Sequence, residues 1–239
     1  MSNSYFSFKQ FRIAQDKCAM KTCTDACLFG AFMAQYISNN PAKTIADIGT
    51  GTGLLSLMIA QKNEAIIHAY EIDEGAAMQA KENFSTSPWY QRLTVIKGNV
   101  IQLQPATTYE WLVCNPPFYE KSLKSPQVNK NIAMHSEQLR LQDLLPICNQ
   151  FLNQQGRFAL LLPYQRTTSF IAMAHQNNFY LEYKLDVKPS PKHHIFRTIC
   201  IFSKAPTPTL LEEMLTIKEL NNAYSEPFTA LLKDYYQFL

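Results

Sequence analysis

The sequence predicts an α/β fold in which a mostly parallel, doubly wound sheet carries an antiparallel hairpin at one edge and an N-terminal cap. Three of the seven glycines lie within positions 49–53, between an apolar strand-like segment and an apolar helix-like segment. Strand and helix patterns then alternate along the chain, which is typical of a parallel sheet. Near the carboxyl terminus, two strand-like segments follow each other without a helix, which indicates the hairpin.

Residues 45–48, apolar apart from Asp47, form the first predicted core strand, and the glycines after them lead into a predicted helix at 54–60. The alternation continues to Pro163, which has no N–H for a ladder hydrogen bond and ends the last strand of the series. The other strands of this series are predicted at 65–70, 93–97, 111–114 and 157–162, with helices at 75–84 and 139–152. A helix at 167–176 then precedes the hairpin strands 180–187 and 198–202.

No linker rich in serine, glycine or proline divides the chain, so we expect one domain spanning residues 1–239. Residues 1–42 are expected to form the N-terminal cap, 43–204 the core that carries the candidate site, and 205–239 a helical tail. In the cap, Phe6, Phe8 and Phe11 alternate with polar residues as in a strand, and residues 27–36 have a helical pattern.

The composition is that of an ordinary globular protein. The 239 residues are 46% hydrophobic and 17% charged, which excludes intrinsic disorder. The formal charge of +3 is too small to identify a nucleic-acid-binding protein by itself. The six cysteines contain no CxxC pair, so free thiols are expected and a metal site is not. Without a signal sequence or a long apolar run, we expect a cytoplasmic protein with no membrane segment.

The glycine segment Asp47-x-Gly49-x-Gly51-x-Gly53 differs from the GxGxxG dinucleotide fingerprint because it has an acidic residue at the strand end. Glycines let backbone N–H groups approach a ligand closely, and Asp47 can accept hydrogen bonds from a cationic amine, such as that of a methionine moiety. A pyrophosphate would be repelled by this carboxylate. The alternative is that the glycines serve only the packing of a strand against a helix.

Two further polar residues follow the next two predicted strands. Glu71 lies 18 positions after Gly53, where an acidic residue can accept hydrogen bonds from both hydroxyls of a ribose. Asp73 is the alternative ligand, although it also suits the N-cap of the next helix. Asn99 follows the third strand and offers an acceptor and a donor to the edge of an adenine, with a simple turn as the alternative.

The segment Asn115-Pro116-Pro117-Phe118 directly follows the strand at 111–114, at the sheet edge where open α/β folds bind ligands. The two prolines make this loop rigid. The Asn115 side-chain oxygen and the Pro116 carbonyl can accept both N–H bonds of a planar amine, while Phe118 stacks on the ring. Alone, the tetrapeptide could be a loop terminator, but in register with the other motifs it predicts a site that acts on an amine.

These motifs resemble those of class I S-adenosylmethionine-dependent methyltransferases, in the branch that methylates amino groups and carries an (N/D/S)PP(Y/F/W) motif. Over residues 5–204, the sequence is most similar to the bacterial tRNA(Val) adenine-N6 methyltransferase group. The matching segments are Phe8-Lys9-Gln10-Phe11, Cys18-Ala19-Met20-Lys21, Thr24-Asp25, the glycine segment, Tyr70-Glu71-Ile72-Asp73 and the NPPF motif.

The resemblance implies a Rossmann-like fold, S-adenosyl-L-methionine as cofactor and tRNA as partner. It further implies methylation of the N6 amine of an adenine, at the adenosine 3′ of the anticodon. Thr24 and Asp25 are implied to help close the cofactor pocket. The chain departs from the group at one point, because Met134 stands before His135 where the group has an arginine. A cationic contact to the substrate is therefore not expected there.

Other functions are compatible with parts of this pattern. The same kind of motif occurs with a guanine amine of rRNA or a glutamine amide of a protein as acceptor. An RNA-binding module without activity is a different class, against which the intact Asp47, Glu71 and Asn115 argue. No obligate protein partner is expected. Cationic residues are candidates for contacts to RNA phosphates, with ordinary solvated loops as the alternative. These are Lys121, Lys188, Lys192 and Arg197, with Lys9, Arg12, Lys17 and Lys21 around the cap.

Overall fold

A computed structural model describes residues 4–18, 21–105, 107–116 and 139–239. The cap consists of strands β1 (Tyr5–Ser7) and β2 (Arg12–Ala14), which pair antiparallel, and helix α1 (Thr24–Asn39). The remaining strands are β3 (Thr44–Ile48), β4 (Ile66–Glu71), β5 (Leu93–Lys97), β6 (Tyr109–Cys114), β7 (Leu152–Pro163), β8 (Tyr180–Lys188), β9 (Arg197–Ser203) and β10 (Leu211–Thr216). The remaining helices are α2 (Leu54–Lys62), α3 (Glu74–Ser85), α4 (Leu141–Phe151), α5 (Tyr164–Gln176) and α6 (Glu226–Leu232).

The eight later strands form one sheet in the order β10-β8-β9-β7-β6-β3-β4-β5. Strands β3 to β7 are mutually parallel, and β9 runs antiparallel to both of its neighbours. The chain order reverses between β3 and β6, so the sheet has its switch point there. The mostly parallel, doubly wound sheet and the antiparallel β8–β9 hairpin predicted from the sequence are confirmed.

The edge of the sheet differs from the prediction. Residues 205–239 were expected to form a helical tail, but β10 lies in this segment and pairs parallel with β8 from Leu211 to Thr216. The hairpin is therefore not the edge. The sequence of β10 contains Leu211, Glu212, Glu213 and Met214, all residues with high helix propensity, but pairing with β8 prevails over that local preference.

Two apolar layers cover the two faces of the sheet. On one face α1, α2 and α6 bury Phe29, Met58 and Phe228 against the strands. On the other face α4 and α5 bury Phe151 and Phe170. Successive residues of β3 alternate between the layers, so the side chain of Asp47 belongs to the face covered by α2.

The cap is joined to the end of the chain. Phe8 and Phe11, which were expected in a strand, lie at the turn between β1 and β2 and stack with ring centroids 4.5 Å apart. The backbone N–H of Lys9 donates to the carbonyl of Tyr235 at 2.8 Å, so the two ends of the chain contact each other. No helix among the described residues is both long and apolar enough to cross a membrane.

Candidate active site at the carboxyl edge of the sheet

The strand register brings three predicted site residues to one level. Ile48 of β3 pairs with Tyr70 of β4 on one side and with Cys114 of β6 on the other. Gly49, Glu71 and Asn115 each follow one of these three paired residues. Because neighbouring strands lie about 4.8 Å apart, the three residues form a row at the carboxyl edge of the sheet. This edge, at the switch point, is where folds of this kind bind ligands.

The glycine turn between β3 and α2 has a left-handed backbone at all three glycines, with φ values of 70° at Gly49, 57° at Gly51 and 83° at Gly53. A Cβ atom added to Gly49 or Gly51 would meet no described atom within 4 Å, so both face open space. A Cβ atom on Gly53 would lie 2.4 Å from the ring of Phe84. Gly49 and Gly51 are therefore placed to admit a ligand, whereas Gly53 lets α3 pack against the start of α2.

Asp47 lies beneath this turn and has no exposed surface. Its Oδ2 accepts hydrogen bonds from Thr50 Oγ1 at 2.6 Å and Ser56 Oγ at 2.7 Å, while its Oδ1 is buried with no hydrogen-bond partner among the described residues. Burial raises the pKa of the Asp47 carboxyl from 3.8 to about 6, against the opposing effect of the hydrogen bonds from Thr50 and Ser56. The carboxyl therefore organises the glycine turn. It does not present the accessible charge expected for a direct contact to a cationic amine.

Glu71 connects the glycine turn to the end of β4. Its Oε2 accepts from Gly51 N at 2.8 Å, and its Oε1 accepts from Ile72 N and Asp73 N at 2.9 and 3.0 Å. Asp73 has the alternative role predicted for it, because its carboxylate accepts from Ala76 N at 2.8 Å and caps α3. Of the two carboxylates, only Glu71 lies in the row beside the glycines.

A pocket opens above this row and brings together Gly49, Glu71 and Asn99. Its other lining residues are Ile48, Tyr70, Ile72, Gly98, Val100 and Leu139. Asn99 Oδ1 accepts from Ile101 N at 3.1 Å, so the side-chain oxygen holds the turn after β5. Tyr70 was not predicted as a pocket residue. Its hydroxyl is 2.7 Å from that of Tyr109, a buried contact that no sequence motif indicates.

Asn115 and Pro116 end β6 within the described part of the chain. Asn115 is half-buried, and within the described part of the chain its side-chain amide makes no hydrogen bond. It lies beside the glycine turn. Pro116 is buried. Other residues singled out from the sequence lie outside the described residues, namely Ala19, Met20, Pro117, Phe118, Lys121, Met134 and His135.

Thr24 and Asp25 lie at the start of α1. Thr24 is exposed and lines a cleft with Tyr224 and Tyr236, and neither Thr24 nor Asp25 lines the described pocket above Glu71. Arg197 Nε donates to Asp25 Oδ2 at 2.8 Å. Burial acts to raise the pKa of the Asp25 carboxyl, but hydrogen bonds from Cys23 and Arg197 outweigh it and hold the pKa below its ordinary value.

The predicted cationic residues fall into two groups. Arg197 forms the ion pair with Asp25 and so holds the start of β9 against α1, which differs from the uncommitted surface cation expected of it. Lys17, a cap residue, forms an ion pair with Glu82. Lys188 is half-exposed and Lys192 exposed, and neither forms an ion pair or hydrogen bond through its side chain with a described residue.

The chain is similar in sequence to known methyltransferases. A family model described as "Methyltransferase small domain" matches residues 29–163. A tRNA1(Val) (adenine(37)-N6)-methyltransferase from Parabacteroides distasonis is 37% identical over 238 residues, which are 99% of each chain. A protein of the same name from Dyadobacter fermentans is 38% identical over 98% of each chain, and one from Cytophaga hutchinsonii is 44% identical over 74% of each chain.

Solved structures share the fold at lower identity. A predicted O-methyltransferase from Agrobacterium tumefaciens superposes with a TM-score of 0.68 at 18% identity, covering 90% of this chain and all of that one. A ribosomal protein L11 methylase from Lactobacillus delbrueckii gives 0.52 at 18% identity, covering 75% of this chain and 78% of that one. The fold is that of class I methyltransferases, as the motifs predicted. The chain belongs to the methyltransferase small domain family.

Proposed function

We propose that this protein transfers a methyl group from S-adenosyl-L-methionine to the N6 amine of an adenine in tRNA. The observation that carries the proposal is the row of Gly49, Glu71 and Asn115 on three adjacent strands. In this row the side-chain amide of Asn115, which has no hydrogen-bond partner among the described residues, lies beside a glycine turn that is open to a ligand. Relatives that match the chain over nearly its full length are named as tRNA adenine-N6 methyltransferases, which supports this acceptor.

The residues of the pocket fit this cofactor. Open space above Gly49 and Gly51 allows backbone N–H groups to approach a bound molecule closely. Glu71 Oε2, which accepts from Gly51 N alone, is proposed to accept a further hydrogen bond from the ribose. The amide nitrogen of Asn99 is proposed to donate to the adenine edge, because its oxygen already accepts from Ile101 N. Asp47 is proposed to act on the methionine side indirectly, by holding the glycine turn through Thr50 and Ser56. Thr24 and Asp25 are proposed to border this site from α1.

The sulfonium of the bound cofactor supplies an electrophilic methyl group. The residues of the chain must make the acceptor amine nucleophilic, because its lone pair is delocalised into the adenine ring. The Asn115 side-chain oxygen and the Pro116 carbonyl are proposed to accept the two N–H bonds and to favour the tetrahedral geometry of the transition state. Phe118 is proposed to stack on the ring. Methyl transfer would leave the sulfur as a neutral thioether and the accepting nitrogen as a cation. This cation is acidic, so its proton can leave to solvent without a strong base.

The acceptor base has to leave its stack to reach the end of β6. A base in a single-stranded RNA loop is the least costly target, because less stacking has to be broken. This argument favours tRNA loops over paired regions, and an anticodon loop fits it. A guanine amine or a glutamine amide would present a similar pair of N–H bonds, so the product identifies the acceptor.

The test uses the full-length protein, a valine tRNA transcript and S-adenosylmethionine, with the nucleosides analysed by mass spectrometry. The wild type is expected to yield N6-methyladenosine. Asn115→Ala is expected to lower kcat about 100-fold, the magnitude typical of losing a preorganised transition-state contact. Its cofactor affinity, measured by calorimetry, is expected to stay within about threefold, because Asn115 is proposed to contact the acceptor amine and not the cofactor.

Asn149→Ala is the matched control, since Asn149 is exposed on α4. It is expected to behave like the wild type. If the product is methylated guanine or methylated glutamine, the acceptor is that group and not adenine. A wild type that binds tRNA but not S-adenosylmethionine would instead support a binding module without activity. An Asn115→Ala variant with full kcat would remove Asn115 from the catalytic role.

A further inference from the structure

The charges at the carboxyl edge of the sheet are segregated on either side of β6. On the side of β3 and β4 the strand ends carry carboxylates, with Asp47, Glu71 and Asp73 around the glycine turn. On the side of β7 to β10 the strand ends and the elements that follow them carry cations. These cations are Arg166, Lys188, Lys192 and Lys218, which we call the cationic edge. Asn115 lies between the two halves.

Backbone hydrogen bonds join the parts of the cationic edge into one surface. Tyr164 N, at the start of α5, donates to Phe196 O at 3.2 Å and so connects the helix of Arg166 to the loop between β8 and β9. Lys218 N donates to Pro189 O at 3.0 Å, which places Lys218 beside the end of β8 and next to Lys188. The four cations therefore belong to one continuous surface and not to separate loops.

The cations of this surface are not neutralised by carboxylates. None of them forms an ion pair with a described residue; Lys218 instead lies 5.7 Å from the ring centroid of Tyr224. Asp25 is already paired with Arg197, and Glu219 follows Lys218 without an ion pair to it in the described structure. Lys97, at the end of β5, is by contrast paired with Glu74 at 3.1 Å.

We propose that the cationic edge holds the phosphate backbone of the RNA substrate, with Arg166 and Lys218 as contacts in addition to Lys188 and Lys192. This inference rests on the proposed function, because it assumes an RNA acceptor. Phosphates are repelled by the carboxylate half of the sheet edge and attracted by the cationic half, so the RNA approaches β6 from the side of β7 to β10. The cofactor pocket then stays on the other side of Asn115.

The dimensions of the surface suit this ligand. Four strand spacings separate β6 from β10, which corresponds to about 19 Å at about 4.8 Å per spacing. At about 3.4 Å of axis per nucleotide of one strand, this length is on the order of six nucleotides. Arg166 is exposed in the first turn of α5, directly after β7, the strand next to β6. Among the four cations, Arg166 therefore belongs to the element that is closest to Asn115 in the sheet order.

The test neutralises the two cations that no sequence motif indicated. In the double variant Arg166→Gln/Lys218→Gln, each lost phosphate contact removes about 0.7–0.9 from the slope of log affinity against log salt concentration. The slope for a valine tRNA transcript is therefore expected to flatten by about 1.5. In about 0.15 M salt the same change corresponds to roughly 20-fold weaker binding. Affinity for S-adenosylmethionine is expected to stay unchanged.

The matched control is Lys43→Gln/Lys81→Gln, which removes the same charge from exposed lysines at the amino edge of β3 and on α3. It is expected to retain the wild-type slope, and thermal melts check that both double variants are folded. The variant Arg166→Gln/Lys218→Gln could keep the salt slope of the wild type, while the wild-type protein methylates adenine. That result would overturn the role of the cationic edge but not the proposed function. A wild type that neither binds nor methylates tRNA would overturn the proposed function and this inference with it.

Discussion

At the scale of single residues, Asp47 before the glycine turn and Glu71 at the end of β4 have different structural roles. Asp47 is enclosed and holds Thr50 and Ser56, whereas Glu71 lies at the pocket and accepts three backbone N–H groups. The sequence predicted both positions, since both follow from the spacing of strand ends. It did not predict that Asp47 would be enclosed, because burial depends on how α2 and α3 close over the turn.

The enclosed carboxyl predicts an unusual pH dependence of stability. Native Asp47 has a pKa of about 6, whereas an unfolded aspartate has its ordinary value of 3.8, so the native state binds more protons between these values. The contribution of Asp47 to the free energy of unfolding therefore falls as the pH rises from about 4 to about 6. A difference of about two pH units corresponds to about 3 kcal/mol.

Asp47→Asn lacks this titration. The free energy of unfolding is measured with denaturant at several pH values. Relative to the wild type, that of the variant is expected to rise by about 3 kcal/mol between about pH 4 and pH 7. The comparison cancels the titration of all other carboxyls that both proteins share. A constant difference over this pH range would mean that Asp47 titrates normally in the native protein.

At the scale of elements, the glycine turn combines a ligand-facing part and a packing part. The left-handed backbone disfavours any residue with a Cβ atom at Gly51 and Gly53, by about 1–2 kcal/mol each. Only Gly53 has the additional contact with Phe84, which is 3% exposed and cannot move aside freely. Overpacking of this kind typically costs a further 1–3 kcal/mol.

Gly53→Ala is therefore expected to lower the free energy of unfolding by roughly 2–5 kcal/mol, and Gly51→Ala by about 1–2 kcal/mol. The double variant Gly53→Ala/Phe84→Leu is expected to destabilise less than the two single changes together, because the shorter side chain makes room for the Cβ atom. Urea denaturation of the four proteins measures this coupling. Equal losses for the two glycine variants would contradict the packing role of Gly53.

The sequence predicted the parallel core more reliably than the sheet edge. The apolar runs at β3, β6 and β7 are buried on both faces, so their patterns are distinct from those of the helices between them. The edge strand β10 is exposed on much of its surface, with Leu211 and Met214 about half exposed. Its sequence therefore lacks the apolar pattern of a buried strand, and its pairing with β8 is a long-range contact that local propensity does not encode.

At the scale of the whole molecule, the last residues of the chain close the apolar layer that covers α1 and α2. Tyr235 is fully buried, and its hydroxyl donates to the carbonyl of Met58 in α2 at 2.9 Å. The cap contributes to the same closure through the bond from Lys9 N to Tyr235 O. The segment after β10 is therefore part of the core that supports the glycine turn, because α2 begins directly after Gly53.

Tyr235→Ala is expected to lower the free energy of unfolding by about 3–5 kcal/mol, because it leaves a cavity of aromatic size and removes the hydrogen bond to the Met58 carbonyl. Phe238→Ala, three residues later, is the matched control, since Phe238 is 95% exposed and is expected to change stability by less than about 0.5 kcal/mol. Since Met58 belongs to the helix that follows the glycine turn, Tyr235→Ala is also expected to weaken S-adenosylmethionine binding in calorimetry below the melting transition. If Tyr235→Ala and Phe238→Ala changed the free energy of unfolding equally little, the carboxyl-terminal segment would not be part of the core. In that case the cap alone would support α2.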